Sequence, residues 1–158
     1  MIDFLGSLMA GNSRSGKNTQ NSKNYMMRFM KTEDGKKYTV ENSDLLMKIY
    51  RHKLVHLAVA KHVILHTGRF LSWKIHDLDP KKHLMIDYND KGILAIGDTW
   101  GIQFDGKFIV VVPKLKDEIL NSVIRESDGY FAELKTSSDL QEKFTTAINQ
   151  FYDPMLSD

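Results

Sequence analysis

The chain has no cysteine among its 158 residues, which excludes disulfides and thiolate metal sites and fits a reducing compartment. It also lacks any apolar run near the roughly 18 residues that a membrane-spanning helix needs. The opening Met1-Ile2-Asp3-Phe4-Leu5 has no basic region before it and is too short for a signal peptide. No internal repeat is visible. These absences point to a soluble, cytoplasmic protein with no membrane partner, long enough to bury a core without staples.

What is present is unevenly charged. The net charge is +2. Residues 1–61 hold 11 Lys/Arg against 5 Asp/Glu, a balance of +6, and residues 62–158 hold 11 against 15, a balance of −4. A local positive field concentrates anionic ligands.

The patterning predicts an α+β fold read as a single domain. A helical part covers residues 1–61, an antiparallel β-meander of about 4–5 strands covers 62–113, and C-terminal helices cover 114–154. Residues 1–10 suit one or two helical turns, and 11–23 have the composition of a mobile loop. Tyr25, Met26, Phe29 and Met30 recur at helical intervals, and Asp34-Gly35 marks a turn. Asn42 or Ser43 is the expected cap of a helix over 44–60, with Leu46, Ile49, Tyr50, Leu54 and Leu57 on its apolar stripe. Leu71, Trp73 and Ile75 alternate with polar residues as in a half-buried strand, preceded by a Thr67-Gly68 turn. Leu84, Ile86 and Tyr88 alternate likewise. Asp105-Gly106 is a two-residue hairpin signal between 102–104 and 108–112. Pro113 suits the first turn of a helix with Leu115, Ile119, Leu120, Val123 and Ile124 on one face. Ser138-Asp139-Leu140-Gln141 reads as a capping box before a last helix that turns Leu140, Phe144, Ile148 and Phe151 inward.

The segment Tyr50-Arg51-His52-Lys53-Leu54-Val55-His56 carries chemistry that a core helix does not need. A guanidinium grips phosphate oxygens through its planar donor fork. An imidazole moves protons near neutral pH. His52 and His56, four apart, share a helix face and match a zinc pair. No carboxylate sits at the intervening positions, so the metalloprotease arrangement is absent and neither metal nor cofactor is expected. His62 and His66 would share a strand face. Gly11-Asn12-Ser13-Arg14-Ser15-Gly16-Lys17-Asn18 approaches a phosphate-binding P-loop. Asn18 stands where the magnesium-binding Ser or Thr belongs, and no buried strand precedes the loop, so an NTPase is excluded. Trp73 and Trp100 read as core or sheet-face residues.

Arg51-x4-His56, with polar His52 after the arginine and Leu54-Val55 before the histidine, resembles the motif of the HEPN superfamily (higher eukaryote and prokaryote nucleotide-binding domains). Residues 2–11 also look like the helix end that precedes a loop in bacterial members. The resemblance covers about residues 1–61. Members begin with a longer first helix than this chain supplies, and the strands have no counterpart in the family pattern. The resemblance implies an all-helical core that commonly forms a homodimer with its motifs facing across the interface. It also implies metal-independent RNA cleavage of the toxin or phage-defence type, with an antitoxin protein as a further partner. Members that have lost activity bind RNA, nucleotides or proteins, and that is the alternative reading here. By resemblance Arg51 and His56 are the active pair and His52 supports them.

On a helix, positions five apart diverge by roughly 140°, so a twofold axis that supplies a second set of groups would complete the site. His56 would take the 2′-OH proton or protonate the 5′-oxygen, and Arg51 would stabilise charge on the phosphate. The products would be 2′,3′-cyclic phosphate and 5′-hydroxyl ends. Lys53 and Lys61 would hold neighbouring phosphates, and Arg14, Lys17 and Lys23 would touch RNA from the loop.

Overall fold

A computed structural model describes residues 1–12, 18–48, 63–76, 79–96 and 100–152. The fold is α+β, and the chain divides into two compact units: Met1–Ser43 with Asp117–Asp158, and Asp44–Lys116. The first is helical and the second holds the strands. The segment boundary expected at 61/62 lies outside the described residues. The one expected at 113/114 falls inside a helix, Val112–Ile124.

In the helical unit, α1 (Ile2–Ala10) ends where Gly11 takes a left-handed φ of 67°. The Gly11 and Asn12 N–H groups donate back to the Leu8 and Ser7 carbonyls, closing the helix as a glycine at this position commonly does. Helix α2 (Asn18–Phe29) starts earlier than its composition predicts, because residues 18–23 are helical and not loop. Its polar start packs on small residues. A Cβ on Gly6 would stand 2.7 Å from the backbone of Asn21 and Ser22, and the Ser22 hydroxyl donates to the Asp3 carboxylate at 2.5 Å. A large side chain at either position would push the helices apart. Tyr25, Met26, Phe29 and Met30 are fully buried, as their spacing predicts. Each such side chain contributes about 1.5–3 kcal/mol by leaving water. Gly35 closes the expected turn at φ 77°, its N–H donating to the Thr32 carbonyl at 2.8 Å.

Helix α3 (Val40–Leu45) begins before the expected caps. Thr39 caps it, its hydroxyl oxygen accepting the Asn42 N–H at 3.1 Å, and Ser43 is buried inside the helix. Residues 46–48 continue it with wider π-type turns. The rest of the expected helix, 49–60, lies outside the described residues.

Helix α4 (Val112–Ile124) carries Pro113 in its first turn, where the missing N–H costs nothing. The face it buries is not the one its apolar residues predict. Glu118 and Ser122 are buried, while Leu120 and Ile124 are about half exposed. The polar pair is inside because it finds partners there, as described below. Helix α5 (Tyr130–Leu134) follows Gly129. Helix α6 (Ser138–Tyr152) is capped one residue earlier than expected, with the Ser137 hydroxyl accepting the Leu140 N–H at 3.3 Å. The Gln141 amide donates to the Leu134 carbonyl at 2.9 Å and so does not complete the box. Leu140 is buried, whereas Phe151 is 44% exposed and meets Phe4 of α1 at 5.2 Å between ring centroids.

The β unit has β1 (Val63–Ile64), β2 (Phe70–His76), β3 (Met85–Asp87) and β6 (Gly106–Val111) in one sheet of order β1-β2-β6-β3. A separate hairpin joins β4 (Gly92–Ile96) and β5 (Trp100–Phe104). A short 3-10 turn, Pro80–Lys82, is capped by the Asp79 carboxylate. The β1–β2 turn is the predicted one, with Gly68 at φ 77°. The sheet, however, is not an antiparallel meander. Strand β6 lies parallel to β2, in register Leu71↔Gly106 to His76↔Val111. The chain between these strands is long enough for the crossover that a parallel pair requires.

Asp105-Gly106 is accordingly not a hairpin turn. Gly106 is absent from the positive-φ glycines, so the primed turn geometry does not form. Asp105 instead hands the chain from the hairpin to the sheet. Its N–H donates to the Phe70 carbonyl at 2.7 Å, and its carboxylate accepts the Phe70 N–H at 2.8 Å. The expected alternation in β2 also fails at its end, since Leu71 and Ser72 are both buried and Ile75 is 46% exposed. Among the described residues no helix is long and apolar enough to cross a membrane.

Candidate functional site

The residues singled out by sequence, Arg51, His52, Lys53, His56, Lys61, Arg14 and Lys17, all lie outside the described residues. So does His62, and His66 sits in the β1–β2 turn, not on a strand face. The described residues contain two further constellations that spacing alone did not reveal.

The first is a polar interior in the helical unit. Tyr38 donates its hydroxyl to the buried Glu118 carboxylate, across 80 residues of sequence. Ser122 donates to the Ile119 carbonyl at 2.7 Å, and its oxygen lies 3.0 Å from the Tyr25 hydroxyl. A serine has one proton to give, so Tyr25 is the donor in that pair. Tyr25, Phe29 and Tyr130 pack ring against ring at 5.2–5.9 Å. Burial pushes the Tyr25 phenol up to about 12, against a smaller opposing pull from Ser122 and Arg125. Burial first, then Tyr25, pushes Tyr130 up to about 12. Burial, then the Glu118 charge and hydrogen bond, holds the Tyr38 phenol well above its ordinary range. None of these phenols is placed to lose a proton near neutral pH, so the cluster holds the fold and is not an acid–base pair. At its rim Asp128 joins Lys31 and Arg125, and Arg125 also donates to the Phe29 carbonyl at 2.9 Å. The hydrogen bonds of Lys31 and then Arg125 bring the Asp128 carboxyl down to about 2. Nearby, a groove of about 580 Å³ runs beside Ile124, Phe131 and Leu134.

The second constellation is a cationic and aromatic patch on the β unit. The Arg69 guanidinium stands 4.7 Å from the Tyr88 ring centroid. A cavity of about 290 Å³ opens between Lys82, Met85, Asp87, Tyr88, Asn89 and Ile109. Lys74 and Lys107 converge on Asp90 at 3.4 and 2.7 Å and lower its pKa, Lys107 most. His83 accepts the Val111 N–H on Nδ1 at 3.0 Å, which puts the proton of its neutral ring on Nε2. Trp73 is half-buried on the sheet, as expected. Among the described residues, no group of three His, Asp or Glu side chains is placed to hold a metal ion.

Comparison with protein-family models, with curated proteins and with solved structures returned no match.

Proposed function

We propose that this chain is a HEPN-like protein that cleaves RNA without a metal, through Arg51 and His56, in the manner of a toxin or defence effector. The observation that carries the reading is the segment Tyr50-Arg51-His52-Lys53-Leu54-Val55-His56, which sets a phosphate-gripping cation and a proton-transferring ring five residues apart in sequence. The excess of basic residues over 1–61 supports it, because a positive field draws in a polyanion. The reading takes the helices within 1–61 as a HEPN-like core and the strands as an elaboration of it. The working form is a cytoplasmic homodimer whose two motifs make one composite site, restrained by an antitoxin protein.

His56 removes the 2′-OH proton or protonates the 5′-oxygen, Arg51 neutralises the phosphate, and His52 orients its neighbours. DNA lacks the attacking hydroxyl and is not cut.

The test is RNA incubated in EDTA with the wild-type protein, His56→Ala and Arg51→Ala. Either substitution should reduce cleavage by about a hundredfold or more, the usual contribution of a general acid–base group. Equal cleavage by all three proteins sinks the assignment. RNA binding without cleavage, weakened by Arg51→Ala, identifies a non-catalytic binding module instead. A monomer in light scattering at micromolar concentration sinks the composite site.

A further inference from the structure

The β unit sets a small cavity beside strand β3, with the Tyr88 ring in its lining and Arg69, from the β1–β2 turn, against that ring. Strand β3 is the last strand in the order β1-β2-β6-β3, so among the described residues one of its sides is unpaired. The cavity beside it holds about 290 Å³, at the lower limit of the roughly 300–1,000 Å³ typical of ligand pockets. That volume suits one flat ring system better than a whole cofactor. Its floor is apolar, with Ile86 and buried Ile109, and its polar groups are Lys82, Asp87 and Asn89. Between Lys82 and Met85 the backbone passes through Leu84 at φ 59°. A leucine seldom adopts this conformation, and such strain collects around ligand-gripping segments.

The cations at the cavity and on its Tyr88 ring are only weakly paired among the described residues. Among the described residues Arg69 has no carboxylate partner and only the Tyr88 ring beneath it. Lys82 reaches Asp79 only at 4.0 Å, with both side chains well exposed, a pair worth little in water. Asp87 spends one oxygen on the Asn89 N–H at 2.9 Å. The Asn89 carboxamide makes no hydrogen bond among the described residues and so offers a donor beside an acceptor, the pattern that matches a base edge. Tyr88 is 38% exposed and already carries a stacked guanidinium, as aromatic platforms for nucleic acid do.

We infer that this cavity is a subsite for one unstacked base of a single-stranded nucleic acid, with Tyr88 as the stacking surface and Arg69 and Lys82 facing the flanking phosphates. The assignment uses neither Arg51 nor His56. If the chain cleaves RNA, the subsite adds a second grip on the same strand, and if it does not, the grip remains. A duplex keeps its bases stacked and has nothing to insert.

The test is fluorescence anisotropy with a labelled oligouridylate, on the full chain carrying His56→Ala so that the probe survives. Tyr88→Ala should weaken binding about tenfold, within the range of one lost stacked base, and Tyr88→Phe should bind like the parent. Arg69→Gln should weaken binding and reduce the salt slope by about one phosphate contact, and double-stranded RNA should not compete. Wild-type affinity in Tyr88→Ala, or no binding of the probe at low salt, overturns the subsite. Should Tyr88→Ala fail to fold, Arg69→Gln decides, and an unchanged affinity and salt slope in it overturn the subsite equally. Cleavage unaffected by His56→Ala together with binding that needs Tyr88 removes the nuclease reading and leaves this one standing.

Discussion

The two units of this protein differ in how distant segments are tied together. The helical unit has side-chain links inside: Tyr38 on Glu118 and Tyr25 on Ser122 join segments 80 and 97 residues apart in sequence. The β unit keeps Leu71, Phe108, Ile109 and Val110 buried and leaves charge at its surface, where Lys74 and Lys107 share Asp90. The difference follows from how each fold satisfies its backbone. Strands bond to one another across the whole sequence gap, so their side chains are free to be apolar. Helices bond only to themselves, so the long-range links between them fall to side chains. A buried hydroxyl–carboxylate link adds specificity at high stakes, because losing either end takes a hydrogen bond from a buried partner.

The largest effect should come from the apolar interior. Phe108→Ala removes a fully buried ring and should cost about 3–5 kcal/mol in urea unfolding. A cost under about 1 kcal/mol would mean that the sheet does not depend on that interior. Next comes Tyr38→Phe, which removes the tyrosine's hydrogen bond to the buried Glu118 carboxylate. A loss of about 1–3 kcal/mol is expected, and Tyr38→Phe with Glu118→Leu should recover part of it, since removing both partners is cheaper than removing one. No recovery in the double variant would break the contrast between the units.

The smallest effect concerns acid. Asp128 titrates lower in the folded protein, at about 2, than its ordinary value. Its stabilisation is therefore present above about pH 4 and is lost as pH falls toward 2. Because the group is well exposed, its share should stay below about 1 kcal/mol. Asp128→Asn should flatten that acid limb in a series of melts, and Asp90→Asn, lowered in the same direction, should do the same for the β unit. A limb unchanged by either variant would assign the acid loss to other groups.

Much of this structure was legible in the chain. The Tyr25, Met26, Phe29 and Met30 stripe, the Gly35 and Gly68 turns, the Pro113 helix start and buried Leu140 all follow from local rules, and all are present. The misses share a cause. Helix α4 turns Glu118 and Ser122 inward because Tyr38 and Tyr25 wait for them, and periodicity counts apolar residues without seeing distant partners. The start of α2 looked like loop because its packing partner, Gly6, is a residue with no side chain. Asp105-Gly106 has the letters of a hairpin, and the Phe70 backbone claims it for another purpose. Of the proposed site chemistry, the Arg51–His56 motif is readable as a string, whereas Arg69 and Tyr88, 19 positions apart, meet only once the sheet is assembled.

The Asp105 clamp on Phe70 sets how this gene can tolerate insertions. Register in the parallel pair is counted from that clamp, so added length upstream, in the hairpin, is absorbed before the count begins. One extra residue just after it would turn Lys107 and Ile109 to the face now held by Phe108 and Val110, reversing the whole strand. Length variation should therefore accumulate on the N-terminal side of Asp105 and stop there.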